Sequence, residues 1–271
     1  MAGTSQLPEQ NYQDDRPLEI MAKAHERVRT RKPSLIHELA RVATGIVGFL
    51  FLRMRPIRAR YVWKPGAVII APAHFSNLDH FIVGWFTWHR VHFMAKSPMF
   101  KGFLIKFFPS GGTFPVMRGR DDKEALYTAR NILWRARALI MYCWGGRNRK
   151  DRLPEQAKWG IGWVALETGA RIVPAAIYNS DHIRDWKHDW IRGKFYPVTV
   201  EYGKPMRFTV IKNPTRDQAQ WAADLINQQI VALQEDLEAR QGKRHPRICL
   251  AVKTVREECR WIAYGDARLP S

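Results

Sequence analysis

The stretch AVIIAPAHFSNLDH, residues 67–80, holds two kinds of sequence side by side. Its first half, Ala67 to Ala71, is a short apolar run closed by Pro72, the signature of a strand buried on both faces. Its second half, Ala71 to His80, gathers His74, Ser76, Asn77, Asp79 and His80 directly after that strand. Loops at strand C-termini in α/β sheets are where ligands and catalytic groups collect. On an uninterrupted helix His74 and Asp79 would lie about 140° out of phase, so they meet only if the chain turns between them. Ser76 and Asn77 are turn and cap formers at the place where that turn is needed. A carboxylate accepting from one ring nitrogen of His74 fixes the tautomer and leaves the other nitrogen as a general base. No protein nucleophile accompanies the pair, so the proton it takes must come from a substrate hydroxyl.

The charge distribution singles out the same carboxylate. The 271 residues carry 44 Lys+Arg against 25 Asp+Glu, a formal net charge of +19. The first 160 residues hold 27 of the basic and 12 of the acidic side chains, hence +15 of that balance. From Leu39 through Arg120 the one acidic side chain is Asp79. A solvated surface mixes both signs, so a lone carboxylate in a basic stretch points to a specific role; a helix N-cap or an ordinary salt bridge is the alternative.

With 46% hydrophobic and 12% aromatic residues the chain can bury a full core, which excludes disorder for most of it. No stretch approaches the roughly 18 to 20 continuous apolar residues of a spanning helix. The opening MAGTSQLPEQNYQDD is polar and acidic, unlike a secretory signal. Cys143, Cys249 and Cys259 are too few and scattered for a disulfide framework, so a reducing cytoplasm is expected.

Outward from the opening stretch, apolar runs at Ala67–Ala71, Val91–Ala95, Ala138–Cys143, Ile172–Ile177 and Val198–Tyr202 read as strands, with helices at Lys123–Arg137 and Trp159–Thr168 between them. That alternation predicts an α/β domain with a buried sheet. Thr215 and Gln218 form a T-x-x-Q capping box that opens a helix with Ala222, Ile226, Ile230, Leu233 and Leu237 on one face. Residues 242–247 break it, and Ile248, Val252, Val255, Cys259 and Ile262 suggest one more short helix.

Upstream of the sheet, Leu35, Ile36, Leu39, Val42, Ile46 and Phe49 follow helical spacing, and Arg41, Arg53, Arg55, Arg58 and Arg60 fringe the apolar run. This suits a helix lying in a membrane interface; packing on the protein's own core is the alternative. MFKGFLIKFFPSGG, residues 99–112, has a similar apolar character with basic edges and carries the same two readings. The expected organisation is a polar leader (1–32), an interfacial helical segment (33–60), a catalytic domain (61–241) and a helical tail (242–271). The cluster at residues 180–190, with His182, Asp185, His188 and Asp189, lacks a recognised metal-ligand spacing and reads as a polar loop.

Four blocks in order resemble the glycerolipid acyltransferase family, over roughly residues 60–205. His74, Ser76 and Asp79 match its H-x-x-x-x-D motif with the associated Ser. Gly112, Phe114, Pro115, Val116 and Arg118 match the second motif, with Lys96 upstream in AKSPMF. Tyr142 to Asn148 align with F-P-E-G-T-R-S, and Val173, Pro174 and Ile177 match the fourth, V-P-x-x-I block. The third block departs from the family: Trp144 stands for its Glu and Gly146 for its Thr, while Gly145 and Arg147 are kept.

The resemblance implies a glycerol-3-phosphate acyltransferase-like α/β sheet flanked by helices. It also implies a reaction in which His74, oriented by Asp79, deprotonates an acceptor hydroxyl that attacks the thioester of acyl-CoA or acyl carrier protein. Arg118, Arg147 and the backbone at Gly145 and Gly146 would bind an acceptor phosphate, and Lys96 would add a point charge or assist the oxyanion. No metal or cofactor beyond the acyl donor is implied. The expected acceptor is 1-acyl-sn-glycerol-3-phosphate, giving phosphatidic acid. Trp144 leaves a glycolipid or another lysophospholipid open, as a flat stacking wall or as a packing substitution. The expected location is peripheral or monotopic on the cytoplasmic face of a membrane rich in anionic lipids. A basic nucleic-acid-binding module is the competing class, but no helix-turn-helix, zinc-finger or RNA-recognition signature appears. A metal-dependent phosphoesterase using His74, Asp79 and His80 is the third reading.

Overall fold

The computed structural model describes residues 18–87, 90–118, 122–148, 153–181 and 197–241. The leader up to residue 17, the tail from residue 242 and the His182, Asp185, His188, Asp189 cluster lie outside the described residues. Among the described residues, strands β1 (Arg55–Ile57), β2 (Val68–Pro72), β3 (Val91–Lys96), β4 (Thr113–Val116), β5 (Ala138–Ile140), β6 (Arg171–Tyr178) and β7 (Thr199–Tyr202) form one sheet in the order β1-β7-β6-β2-β5-β3-β4. The run β6-β2-β5-β3-β4 is parallel throughout. β7 pairs antiparallel with β6, and β1 lies parallel to β7.

Two helices, α1 (Leu18–Thr30) and α2 (Leu35–Leu52), precede the sheet; parallel strands need crossovers, and α3 (Arg60–Trp63), α4 (Asp79–Trp85), α5 (Leu104–Ser110), α6 (Lys123–Trp134) and α7 (Gly160–Thr168) lie in the connections between strands, while α8 (Arg216–Arg240) follows the last strand. The continuous apolar run of β2 follows from burial on both faces. Ile69 and Ala71 enter a core built with Ile132 of α6, Val164 of α7 and Ile226 of α8. Val68 and Ile70, one residue out of phase, enter the core of the opposite face with Val62 of α3 and Ile82 and Val83 of α4.

The T-x-x-Q box opens α8 as its sequence predicts: the Thr215 hydroxyl accepts from the Gln218 N–H at 3.3 Å, and Gln218 Oε1 accepts from the Thr215 N–H at 3.0 Å. Ala222, Ile226, Ile230 and Leu237 face inward. Gln234 is buried among them because its amide satisfies both the N–H and the C=O of Ile177, each at 2.9 Å. α7 lies so close to α8 that a Cβ on Gly162 would fall 1.9 Å from the Ala219 carbonyl oxygen.

The structure corrects the expected boundaries in two places. The predicted polar leader contains α1, which buries Met21, Ala24, His25 and Val28 against the sheet and its helices, so residues 18–30 are part of the fold. Apolar side chains recurring every three or four residues make that face, although charges crowd the rest of the helix. Its C-terminus is tied down by Arg137, whose guanidinium donates to the Arg31 carbonyl at 3.1 Å. The segment from 33 to 60, in turn, is helical only as far as Leu52: Arg55–Ile57 join the sheet as β1, with Arg55 opposite Thr199. Strand β5 is also shorter than its apolar run, ending at Ile140 where the chain leaves the sheet to build the loop described below.

Replacing Gly162 with Ala is expected to lower the unfolding free energy by about 3 kcal/mol, since a methyl group must push apart two helix backbones. Urea denaturation of both proteins checks this; an unchanged midpoint would mean the α7–α8 contact is looser than described.

Candidate active site

Because β2, β3, β4 and β5 run parallel, the loops after them open on one edge of the sheet. His74 follows β2, Lys96 ends β3, Arg118 lies just past β4, and Tyr142 to Asn148 follow β5. Four blocks separated in the chain are thereby brought to neighbouring strand ends.

The turn between His74 and Asp79 is built by local hydrogen bonds. Ser76 presents its carbonyl to the Asp79 N–H at 3.3 Å and its hydroxyl to the Leu78 N–H at 3.3 Å. Asp79 then begins α4, and its Oδ2 accepts from three donors: the N–H of Phe75 at 2.6 Å, the N–H of Ser76 at 2.7 Å and His74 Nδ1 at 2.9 Å. Asp79 has no solvent exposure, so these donors are what make its charge tolerable. A carboxylate can only accept, so neutral His74 carries its proton on Nδ1 and leaves Nε2 bare as a base.

The Tyr142 ring stacks on the His74 imidazole with centroids 3.9 Å apart and an interplanar angle of 19°, fixing the plane of the ring. The Asn148 N–H donates to the His74 carbonyl at 2.7 Å, so the loop after β5 is tied to the dyad at both ends. His80 packs against the rings of Phe81 and Phe93, and burial, helped by the charge of His74, pushes its pKa down to about 3. It stays neutral wherever a base at His74 would operate. Cys143 is buried and burial pushes its thiol up, so it offers no thiolate. Among the described residues no group of three His, Cys, Asp or Glu side chains is placed to hold a metal ion.

The cationic side of the loop contains one residue absent from the sequence-based set. Gly145 takes the left-handed φ of +66°, and a Cβ there would lie 3.3 Å from Cδ and 3.4 Å from Nζ of Lys158. A Cβ on Gly146 would lie 3.5 Å from Nη1 of Arg118. Burial, then the neighbouring Arg147, lowers the pKa of Arg118; burial, then Arg118, lowers that of Lys158. Arg118, Arg147, Gly145, Gly146 and Lys158 thus belong to one electropositive loop region. The signal that could have found Lys158 is its position just before α7, where the helix macrodipole disfavours a cation.

The remaining sequence-predicted residues divide. Lys96 is exposed at the end of β3, in register with Val116 two residues before Arg118. Trp144 packs its indole against the core, with a buried N–H that has no acceptor. In the 99–112 segment Phe100 is fully buried while Phe103 is 75% exposed, so only part of the segment packs on the core.

Comparison with known proteins agrees with the geometry. Residues 55–178 match the family model described as Acyltransferase. Among solved structures the chain is similar to the 1-acyl-sn-glycerophosphate (LPA) acyltransferase PlsC from Thermotoga maritima, with a TM-score of 0.52 and 17% identity, over 85% of this chain and 92% of that one. None of the curated proteins matches it in sequence.

Proposed function

For this chain, a member of the glycerolipid acyltransferase family and an acyltransferase by that membership, we propose transfer of a fatty acyl group from acyl-CoA or acyl carrier protein to a hydroxyl of a lysophospholipid. The acceptor proposed first is 1-acyl-sn-glycerol-3-phosphate, the product phosphatidic acid. The observation that carries the reading is the His74–Asp79 pair at 2.9 Å, with Nε2 of His74 left free to take a proton. The acceptor O–H gives its proton to Nε2, and its oxygen bonds to the thioester carbonyl carbon. The C–S bond breaks as the tetrahedral intermediate collapses, and the imidazolium returns the proton to the leaving thiolate. Asp79 stabilises the imidazolium between those steps. Arg118, Arg147 and the Gly145–Gly146 backbone hold the acceptor phosphate, and Lys96 faces the developing oxyanion. With Trp144 turned to the core, the family's carboxylate at that position has no replacement, so glycolipids belong among the acceptors compared.

One acyl-CoA tested against lysophosphatidic acid, other lysophospholipids and a glycolipid measures the reaction and the acceptor together. Transfer should be fastest to lysophosphatidic acid and should fall by about 10³-fold or more in His74→Ala, since a general base contributes roughly 10²- to 10⁴-fold. Arg118→Ala should raise KM for the phosphorylated acceptor well above any change in KM for the acyl donor. Undiminished turnover without His74 would sink the assignment.

Membrane binding is proposed on the exposed apolar faces. Among the described residues no helix is long and apolar enough to cross a membrane. On α2, Leu35, Leu39, Val42, Ile46 and Phe49 all point to solvent, whereas on its other side a Cβ at Gly45 would collide with Trp85 of α4. His37 of α2 packs on Phe107 of α5, which sets exposed Phe103 and Phe107 beside this face, and exposed Arg53, Arg55 and Arg60 follow the helix. Apolar side chains fringed by arginines suit the surface of an anionic bilayer. The protein should float with anionic vesicles and less with zwitterionic ones, and Leu39→Asp combined with Ile46→Asp should release it. Equal flotation of the double variant would place the contact elsewhere.

A further inference from the structure

Given the acyl-transfer reading above, on which this rests, we propose that Lys158 is the third cation of the acceptor site and the one that selects a phosphate monoester over a phosphodiester. Its stem lies against Gly145, and its backbone N–H donates to the Cys143 carbonyl at 2.8 Å, so the loop is closed onto residue 158 from two directions. The absence of a side chain at Gly145 leaves Nζ its place beside the loop.

Lys158, Arg118 and Arg147 have no carboxylate partner among the described residues. Other cations of the protein do find acceptors. Arg58 and Arg240 share the buried carboxylate of Glu201, Arg130 lies 3.7 Å from Glu167, and Arg171 donates to the Lys64 carbonyl at 2.7 Å. At the loop Arg118 has a buried Nε without an acceptor, as Arg130 and Arg171 do, but unlike theirs its guanidinium has no ion-pair or hydrogen-bond partner among the described residues. Half-buried Arg118 and Arg147 and the exposed Lys158 beside them carry like charges that repel one another until an anion arrives. The lowered pKa values of Arg118 and Lys158 express that repulsion together with burial.

The number of charges then separates the acceptor classes. A phosphodiester carries one negative charge, whereas a monoester carries about −1.5 to −2 at pH 7, with a second ionisation near pH 6. Two guanidinium forks already match one phosphate face, so a third point charge from an ammonium rewards the second negative charge.

The test compares the full-length wild type with Lys158→Gln and Lys158→Arg, using lysophosphatidic acid and lysophosphatidylglycerol as acceptors with one acyl-CoA from pH 5.5 to 8. Lys158→Gln should lower kcat/KM for both acceptors, but for the monoester by about tenfold more, acting through KM, as expected for a lost charged hydrogen bond. It should flatten the rise in monoester kcat/KM between about pH 6 and 7, and Lys158→Arg should restore much of both. Equal losses on the two acceptors with an unchanged pH profile would reduce Lys158 to a support of the loop and overturn the proposal, as would no loss on either. Calorimetric binding of sn-glycerol 3-phosphate and glycerophosphoglycerol separates this from the parent reading. A monoester preference lost in Lys158→Gln without any acyl transfer would uphold Lys158 and defeat the transfer reaction, and no binding of the monoester to the wild type would overturn Lys158 itself.

Discussion

A fully buried carboxylate must find donors in the fold around it or not ionise at all, and the Asp79 side chain meets that demand with one oxygen and donors from its own turn. Oδ2 gathers the N–H groups of Phe75 and Ser76 and the Nδ1 of His74. The same three contacts bend the chain between strand and helix, fix the histidine tautomer and aim Nε2 away from the carboxylate. Loop shape and base orientation are therefore one interaction. A substitution at Asp79 would alter both, which is why a local turn and the chemistry appear in the same short stretch.

Around this fixed point the parallel sheet acts as a collector. Strand direction alone places the ends of β2, β3, β4 and β5 on one edge, and the loop after β5 closes over the dyad through Tyr142 and Asn148. The fold thereby gathers the His74–Asp79 pair and a group of cations at neighbouring strand ends. Helices α2 and α5 turn apolar side chains outward, the surface on which the proposed membrane binding rests.

Much of this was legible from the amino-acid order because it is local. The His74–Asp79 relation spans five residues, β2 and β6 are unbroken apolar runs, and the α8 cap is written in Thr215 and Gln218. What escaped depends on partners distant in the chain. Strand β1 is three residues with Pro56 and an exposed Arg55, and only its pairing with β7 makes it a strand. Helix α1 hides a buried stripe beneath a charged surface, and Gln234 is a polar residue in the core because it serves the backbone of Ile177. Lys158 lies beside Gly145, thirteen residues away in the chain, and only its place before α7 hints at it in the sequence. Trp144 shows the reverse difficulty: a departure from the family pattern was visible, and only packing could say which way the indole turns.

The central claim is that Asp79 holds His74 in the Nδ1–H form with Nε2 unprotonated. Nitrogen-15 NMR of imidazole-labelled protein, at a pH where His74 is neutral, reads this directly. The account predicts a pyrrole-type Nδ1 and a pyridine-type Nε2 for His74, and loss of that preference in Asp79→Asn. A neutral His74 protonated on Nε2 in the wild-type protein would contradict it.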